Sequence, residues 1–367
     1  MDGLAKDFVC RPPPRDRRRS PRLRLESGSR VGVIGGGPAG SFFCCSLLDL
    51  ARSVDLALEV DVYEPRDFSR PGPAGCNHCG GIISESLVQI LATEGIILGP
   101  SVVQRGIDSY TLHMDVGSVR IATPLQEKRI AAVHRGAGPR GLPEKSWESH
   151  DGFLQSLAVG RGARVLRERV EGIDWGDDRP RIRTRAGTSE PCDLIVGAVG
   201  VNSAASKLFE GLGIGYRPPR TTKTYICEIL LGRARVAEYL GSSMHIFLLN
   251  IPRLEFAAFI PKGDYVTVCL LGEEIDNDLV QSFLNTEEVK ACLPSDPELL
   301  RDLCRCGPQI NVRGAAHPFA DRLVLIGDCA VTRLYKDGIG AAHRTAKAAA
   351  MTAVLHGISA GDFQRHY

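Results

Sequence analysis

The sequence has no long unbroken hydrophobic run, no paired CxxC and almost no net charge, and each absence removes a class of protein. Its one charge-free stretch of eighteen residues, Val31 to Leu48, is interrupted by five glycines and a proline, whereas a membrane span needs about 20 predominantly apolar residues. The stretch divides into a short strand, a glycine turn and the start of a buried helix. No integral membrane span is therefore expected, and peripheral membrane contact stays open. The arginines near the start are not followed by the apolar segment that a secretory or twin-arginine leader requires. Twelve cysteines without such a leader point to free thiols in a reducing, cytoplasmic setting instead of a disulfide framework. The spacings Cys76–Cys79 and Cys304–Cys306 are joined by no second CxxC and no spaced histidine pair, so no metal site is expected. His113, His134, His150, His245 and His343 share no ligand spacing on one helix face and read as structural.

The formal charge of +2 is unevenly placed: residues 1 to 30 hold nine Lys/Arg against four Asp/Glu, which leaves the remainder slightly acidic. A nucleic-acid footprint on the body is thereby excluded. Prolines and like charges in RPPPRDRRRSPRLRLESGSR deny that segment a helical period and an apolar face, so residues 1–29 are expected to be a disordered tail. A chain of 367 residues exceeds what one core usually supports, and no internal repeat is present, so a two-domain body is expected.

Arg30 to Gly40, RVGVIGGGPAG, reads as a β-branched strand, a turn and a helix start, with Gly35, Gly37 and Gly40 in G-x-G-x-x-G spacing. The first glycine permits the tight turn and the second a close backbone approach to a pyrophosphate. The third lets the helix, with its positive end toward the phosphates, pack on the strand. The next strand ends on Glu64, 24 residues after Gly40, where a carboxylate can accept ribose hydroxyls. A second strand–turn–helix unit near the end carries Gly327-Asp328 and then Gly338-Ile339-Gly340, a helix start able to aim N–H groups at an anionic ring edge. Between these units, Ile107 to Pro124 and Tyr225 to Leu271 alternate like antiparallel strands. The result is one discontinuous nucleotide domain (30–106, 147–205 and 308–367) threaded by a β-rich substrate domain (107–146 and 206–307).

Four motifs together resemble the FAD-dependent oxidoreductases of the para-hydroxybenzoate hydroxylase fold and, within it, the geranylgeranyl reductase family. They are GGGPAGS at Gly35–Ser41 with YEPR at Tyr63–Arg66, CGGII at Cys79–Ile83, FIPKGDYVTVCLLG at Phe259–Gly272, and IGDCA followed by KDGIGAA. The resemblance implies an α/β fold: a Rossmann-type, three-layer ββα FAD-binding domain with an inserted antiparallel sheet. It implies FAD contacts from Gly35, Gly37, Pro38, Ala39, Gly40, Glu64, Pro65 and Arg66, and from the backbone of Val170. Asp328 and Gly327 would meet the ribityl chain. Gly338, Ile339 and Gly340 would meet the isoalloxazine edge, and Gly80 and Gly81 its reactive face. Cys79 is the candidate proton donor. His78 is a weaker one, Arg135 or Arg140 could hold an anionic group, and Tyr335 and Lys336 adjoin the last loop. Val199 stands where the fold's middle motif carries Asp, and the proline usual before the last flavin loop is absent.

The implied activity is hydride transfer from reduced FAD to a carbon–carbon double bond of an isoprenoid or other lipidic substrate, walled by the apolar strands of Tyr225–Leu271. The electron donor, NAD(P)H, ferredoxin or another, is left open. The alternatives are a flavin-dependent monooxygenase or halogenase-like enzyme, and a truncated electron-transfer protein, since the family continues beyond its flavin helix.

Overall fold

The computed structural model describes residues 23–72, 75, 79–139, 147–175, 178–296, 299, 303–330 and 337–367. Cys76, His78, Arg140, Tyr335, Lys336 and tail residues 1–22 lie outside them. Residues 23–29, expected to belong to a disordered tail, are ordered. Leu25 is in the core, the Leu23 carbonyl accepts the Ile358 N–H at 2.9 Å, and Ser29 already begins the first strand. Two leucines among the arginines suffice for this docking, because burying each contributes about 1.5–3 kcal/mol.

The strand Ser29–Ile34 is buried along both faces, as its Val/Ile run requires. It sits inside a six-stranded sheet of order Phe319–Ala320, Leu323–Leu325, Leu194–Gly197, Ser29–Ile34, Leu58–Tyr63, Arg164–Leu166. Every pairing is parallel except the one between the first two. Successive side chains alternate faces, so Val31 and Val33 join Phe42, Leu154 and Ala346 in a core under the helices Pro38–Ser53, His150–Gly160 and Gly338–Met351. Ile34 packs the other way, with Ile182 and Ile195, beneath an antiparallel sheet of Val170–Trp175, Pro180–Thr184 and Gly187–Thr188. Gly32 sets that spacing, since a Cβ there would fall 2.5 Å from Ile182 Cδ1. The layers are sheet, sheet and helices, the ββα arrangement expected.

The second body is an eight-stranded sheet, with Arg220–Leu230, Tyr265–Gly272, Leu254–Lys262 and Ser243–Leu248 running antiparallel through its centre. Its two chain segments meet at one parallel pairing, Ser109–Met114 beside Ser243–Leu248. One face buries Ile229, Phe247, Phe259, Val268 and Leu270 with Leu279 and Phe283 of the helix Asn277–Leu284. The opposite face, carrying Ile260, Cys269 and Leu271, packs with Ile107, Ile130 and Ala132 of a small sheet made by Ile82–Ile83, Ile130–Val133 and Val103–Ile107. That small sheet joins the two bodies. Among the described residues, no helix is long and apolar enough to cross a membrane.

Candidate functional site

At the end of the first strand the chain is packed so tightly that only backbone fits. Gly35 has φ +106°, and a Cβ there would lie 2.4 Å from the Ala198 carbonyl oxygen; a Cβ on Gly40 would lie 2.0 Å from that of Gly35. Gly37 caps the helix Pro38–Ser53 without a side-chain bond, and Pro38 follows in the first turn, where a missing N–H costs nothing. The helix thus presents free N–H groups and its positive end to whatever occupies the adjoining space.

That space is a cavity of about 1100 Å³, slightly above the roughly 300–1,000 Å³ usual for small-molecule and cofactor sites. Gly35, Gly37, Pro38 and Ala39 line it, with Glu64, Pro65, Arg66 and Val170 from the neighbouring strands. Asp328 and Gly338 complete the set from the C-terminal unit, and Val199 also faces it. Six Arg/Lys and four Asp/Glu line the walls, a balance that suits a phosphorylated ligand. Glu64, 7% exposed, accepts the Gly36 N–H on one carboxylate oxygen and the Arg66 N–H on the other, each at 2.9 Å. These bonds hold its carboxylate at the wall.

Four of the expected residues stand behind the wall. Gly40 lies under the turn. Gly327 (φ +65°) donates its N–H to Thr345 Oγ1 at 2.9 Å, and a Cβ on it would press 2.8 Å from Ala39 Cβ, so the two glycine motifs touch. Ile339 is in the core. Gly340 leaves room for the Asp337 carboxylate, which would be 2.2 Å from a Cβ there and pairs with Arg344 at 2.7 Å.

The Cys79-Gly80-Gly81 segment forms the seam with the second body. A Cβ on Gly80 would meet Ile260 Cδ1 at 3.1 Å and Cys269 Sγ at 3.2 Å. Gly81, at φ +71°, would meet the Val133 carbonyl oxygen at 2.0 Å and Lys262 Nζ at 3.0 Å. The Val133 N–H in turn donates to the Gly81 carbonyl at 2.8 Å. Beside the seam is a small pocket of about 40 Å³, lined by Cys79, His134, Arg135, Glu228, Lys262 and Arg305 among others. Arg135 lines both this pocket and the large cavity.

Charged groups line the pocket, and they are held in place. Asp151, fully buried, takes a two-pronged ion pair from Arg135 at 3.0 and 2.9 Å and bonds His150 Nδ1 at 3.1 Å. Burial raises the Asp151 pKa, but Arg135 and His150 outweigh it and leave it at about 2. Burial works against the charged Arg135, but Asp151 outweighs it and pushes the guanidinium above its ordinary value. Lys262, 1% exposed, stands 3.8 Å from Glu228, which also accepts the Thr267 hydroxyl at 2.8 Å. Burial pushes the Glu228 carboxyl up against the pull of Lys262 and Thr267. Burial, then Lys262, holds His134 well below the ordinary imidazole value, and its Nε2 has no hydrogen-bond partner among the described residues.

The sequence reading overlooked Glu228 and Asp151 as site residues and quoted Lys262 and Thr267 only within a motif. Alternation along Phe259–Gly272 already put Lys262, Ile260, Thr267 and Cys269 on one face. Of the apolar residues on these strands, Phe247, Phe259, Val268 and Leu270 are sealed beneath the helices, while Ile260, Cys269 and Leu271 lie on the face toward the small sheet. The described residues beside Cys79 provide a small pocket that charged groups enter, and no long apolar channel.

No protein-family model matches the chain. Salicylate hydroxylase from Pseudomonas putida is 24% identical over 355 residues, covering 85% of this chain and 73% of that protein. Among solved structures, a geranylgeranyl bacteriochlorophyll reductase-like protein from Thermoplasma acidophilum superposes with a TM-score of 0.67 at 17% identity, covering 93% of this chain and 82% of the other. A flavin-dependent brominase does so with a TM-score of 0.69 at 15% identity, covering 93% and 83%. The fold is that of the flavin-dependent oxidoreductases.

Proposed function

We propose that this chain is an FAD-dependent oxidoreductase that reduces a carbon–carbon double bond. The observation carrying the proposal is the Cys79-Gly80-Gly81 seam, whose glycines bring backbone against Ile260, Cys269 and Lys262, between the large cavity that would hold a cofactor and the charged groups that would face a substrate. FAD suits the cavity because the glycine turns leave backbone N–H groups, a fixed carboxylate at Glu64 and a second helix start at Gly338 along its walls. When bound and reduced, it supplies the hydride.

The chain's own residues do the remaining work. Gly35, Gly37 and the first helix would hold the pyrophosphate, Glu64 the adenosine ribose, Val170 the adenine and Asp328 the ribityl chain. Lys262 and Arg135 would orient an oxygen-bearing group conjugated to the double bond. Cys79 or Glu228 would then protonate the second carbon, Glu228 being suited by a carboxyl pushed toward its acid form. The unsaturated substrate therefore carries a polar head; an isoprenoid qualifies if its double bond lies near one. The electron donor is identified by assay.

A second reading, hydroxylation of an aromatic acid, draws support from the salicylate hydroxylase similarity and the basic pocket. Two assays separate the readings. Under nitrogen, dithionite-reduced holoprotein is mixed with unsaturated carbonyl compounds, carboxylates and polyprenyl diphosphates, and flavin reoxidation with a saturated product supports the reductase. In air, aromatic acid that stimulates NAD(P)H consumption and yields hydroxylated product, with no anaerobic reoxidation by any alkene, would overturn it.

A further inference from the structure

On the far face of the second body, away from the seam, two histidines that the sequence reading took as structural converge with a cysteine. His113 lies on the strand Ser109–Met114 and His245 on Ser243–Leu248, the one parallel pairing that joins the two chain segments of this body. Cys292 follows the short helix Glu287–Lys290. All three are buried, at 7%, 8% and 4% exposure. His113 Nε2 is 2.9 Å from His245 Nδ1, and Cys292 Sγ is 3.7 Å and 3.5 Å from those nitrogens.

We propose that His113 Nε2, His245 Nδ1 and Cys292 Sγ form a three-ligand site for a zinc-class cation, with water completing the tetrahedron. With Zn–N of about 2.0–2.1 Å and Zn–S of about 2.3 Å, tetrahedral ligands stand roughly 3.3–3.4 Å (N to N) and 3.5–3.6 Å (N to S) apart. The two sulfur distances already match, and the nitrogens need to separate by only about 0.4–0.5 Å. Thiolate and imidazole donors together select a borderline-soft ion. The far nitrogens are held as metal-bound imidazoles usually are: His113 Nδ1 faces Ser118 Oγ at 2.8 Å, and His245 Nε2 faces the Leu240 carbonyl at 3.4 Å. Phe247 stacks on His113 at 4.6 Å and shields one side. The ion would pin both chain segments to the helical layer at their single point of pairing.

The spacing hides this site because its ligands come from three distant elements. The competing account is a His113–His245 hydrogen bond beside an inert thiol. The full chain, purified without chelator, is analysed by elemental mass spectrometry and, after chelation and dialysis, titrated with zinc and then cobalt. The proposal expects about one equivalent of zinc per chain and a near-ultraviolet thiolate-to-cobalt band that Cys292→Ser abolishes and Cys304→Ser keeps. Ser118→Ala, at an exposed hairpin position, should weaken zinc binding by about 10–100-fold without unfolding the protein. A folded wild-type chain with no bound metal and no cobalt band overturns the proposal, as does a band that persists in Cys292→Ser.

Discussion

Replacing Gly40 by alanine tests whether the first helix is seated for a phosphate. The added Cβ would fall 2.0 Å from the Gly35 carbonyl oxygen, where ordinary contact begins at 3.4 Å. Turn and helix must separate by about 1.4 Å to restore ordinary contact, and overpacking of this kind costs about 1–3 kcal/mol. The displacement withdraws the helix start from the cavity that Gly37, Pro38 and Ala39 line, so the cost falls on cofactor affinity as well as stability. At about 1.4 kcal/mol per factor of ten, FAD should bind roughly 10- to 100-fold more weakly. Gly160→Ala is the control: that glycine closes the helix His150–Gly160 with nothing within 4 Å of its added Cβ, so stability should hold or rise by about 0.4–1 kcal/mol. Fluorescence titration of apoprotein with FAD, beside thermal melts of both variants, measures these effects. An unchanged FAD affinity in Gly40→Ala would refute the reasoning.

Other perturbations separate binding from chemistry. Gly81→Ala places a side chain at φ +71° against the Val133 carbonyl; it should leave FAD affinity near wild type while substrate-driven reoxidation slows by about 10²-fold, as stopped-flow spectroscopy would record. Glu228→Gln removes a carboxyl raised by burial and should cost about 10²-fold or more in the protonation step. Wild-type rates should fall as pH rises through the Glu228 pKa, and the variant's profile should lose that limb. Asp151, ordinarily at 3.8, is depressed to about 2, so its stabilisation is present above pH 4 and is lost as pH falls from about 4 to about 2. Urea melts across that range should show Asp151→Asn less stable at neutral pH by about 3–5 kcal/mol, because Arg135 is left buried without its partner, with the gap closing at the acid end.

The cofactor half of the molecule was legible because its residues are fixed by local backbone geometry. Gly35 and Gly327 have positive φ and Gly40 has no room for a Cβ, and such demands leave a signature within a few neighbouring residues. Glu64 was legible for the same reason, as the end of a strand adjoining the turn. The polar cluster of the second body was not, because it is assembled across strands. Glu228 meets Thr267 in cross-strand register, and Lys262 arrives from a third strand. Asp151 reaches Arg135 from a helix in the other body. Apolar runs such as YVTVCLLG were read as one wall although a strand has two faces: Val266, Val268 and Leu270 serve the helix layer, and Cys269 and Leu271 the small sheet. Leu23 and Leu25 show the converse error, where a basic composition concealed two residues that dock.

The most direct test of the central claim is the absorption spectrum of the full chain after purification and desalting, repeated after incubation with FAD and a second desalting. The account predicts flavin bands at about one equivalent per chain, with the flavin identified as FAD after release by denaturation. Folded protein that stays colourless after incubation, or that retains flavin equally well when Gly35 and Gly40 are both replaced by alanine, would contradict it.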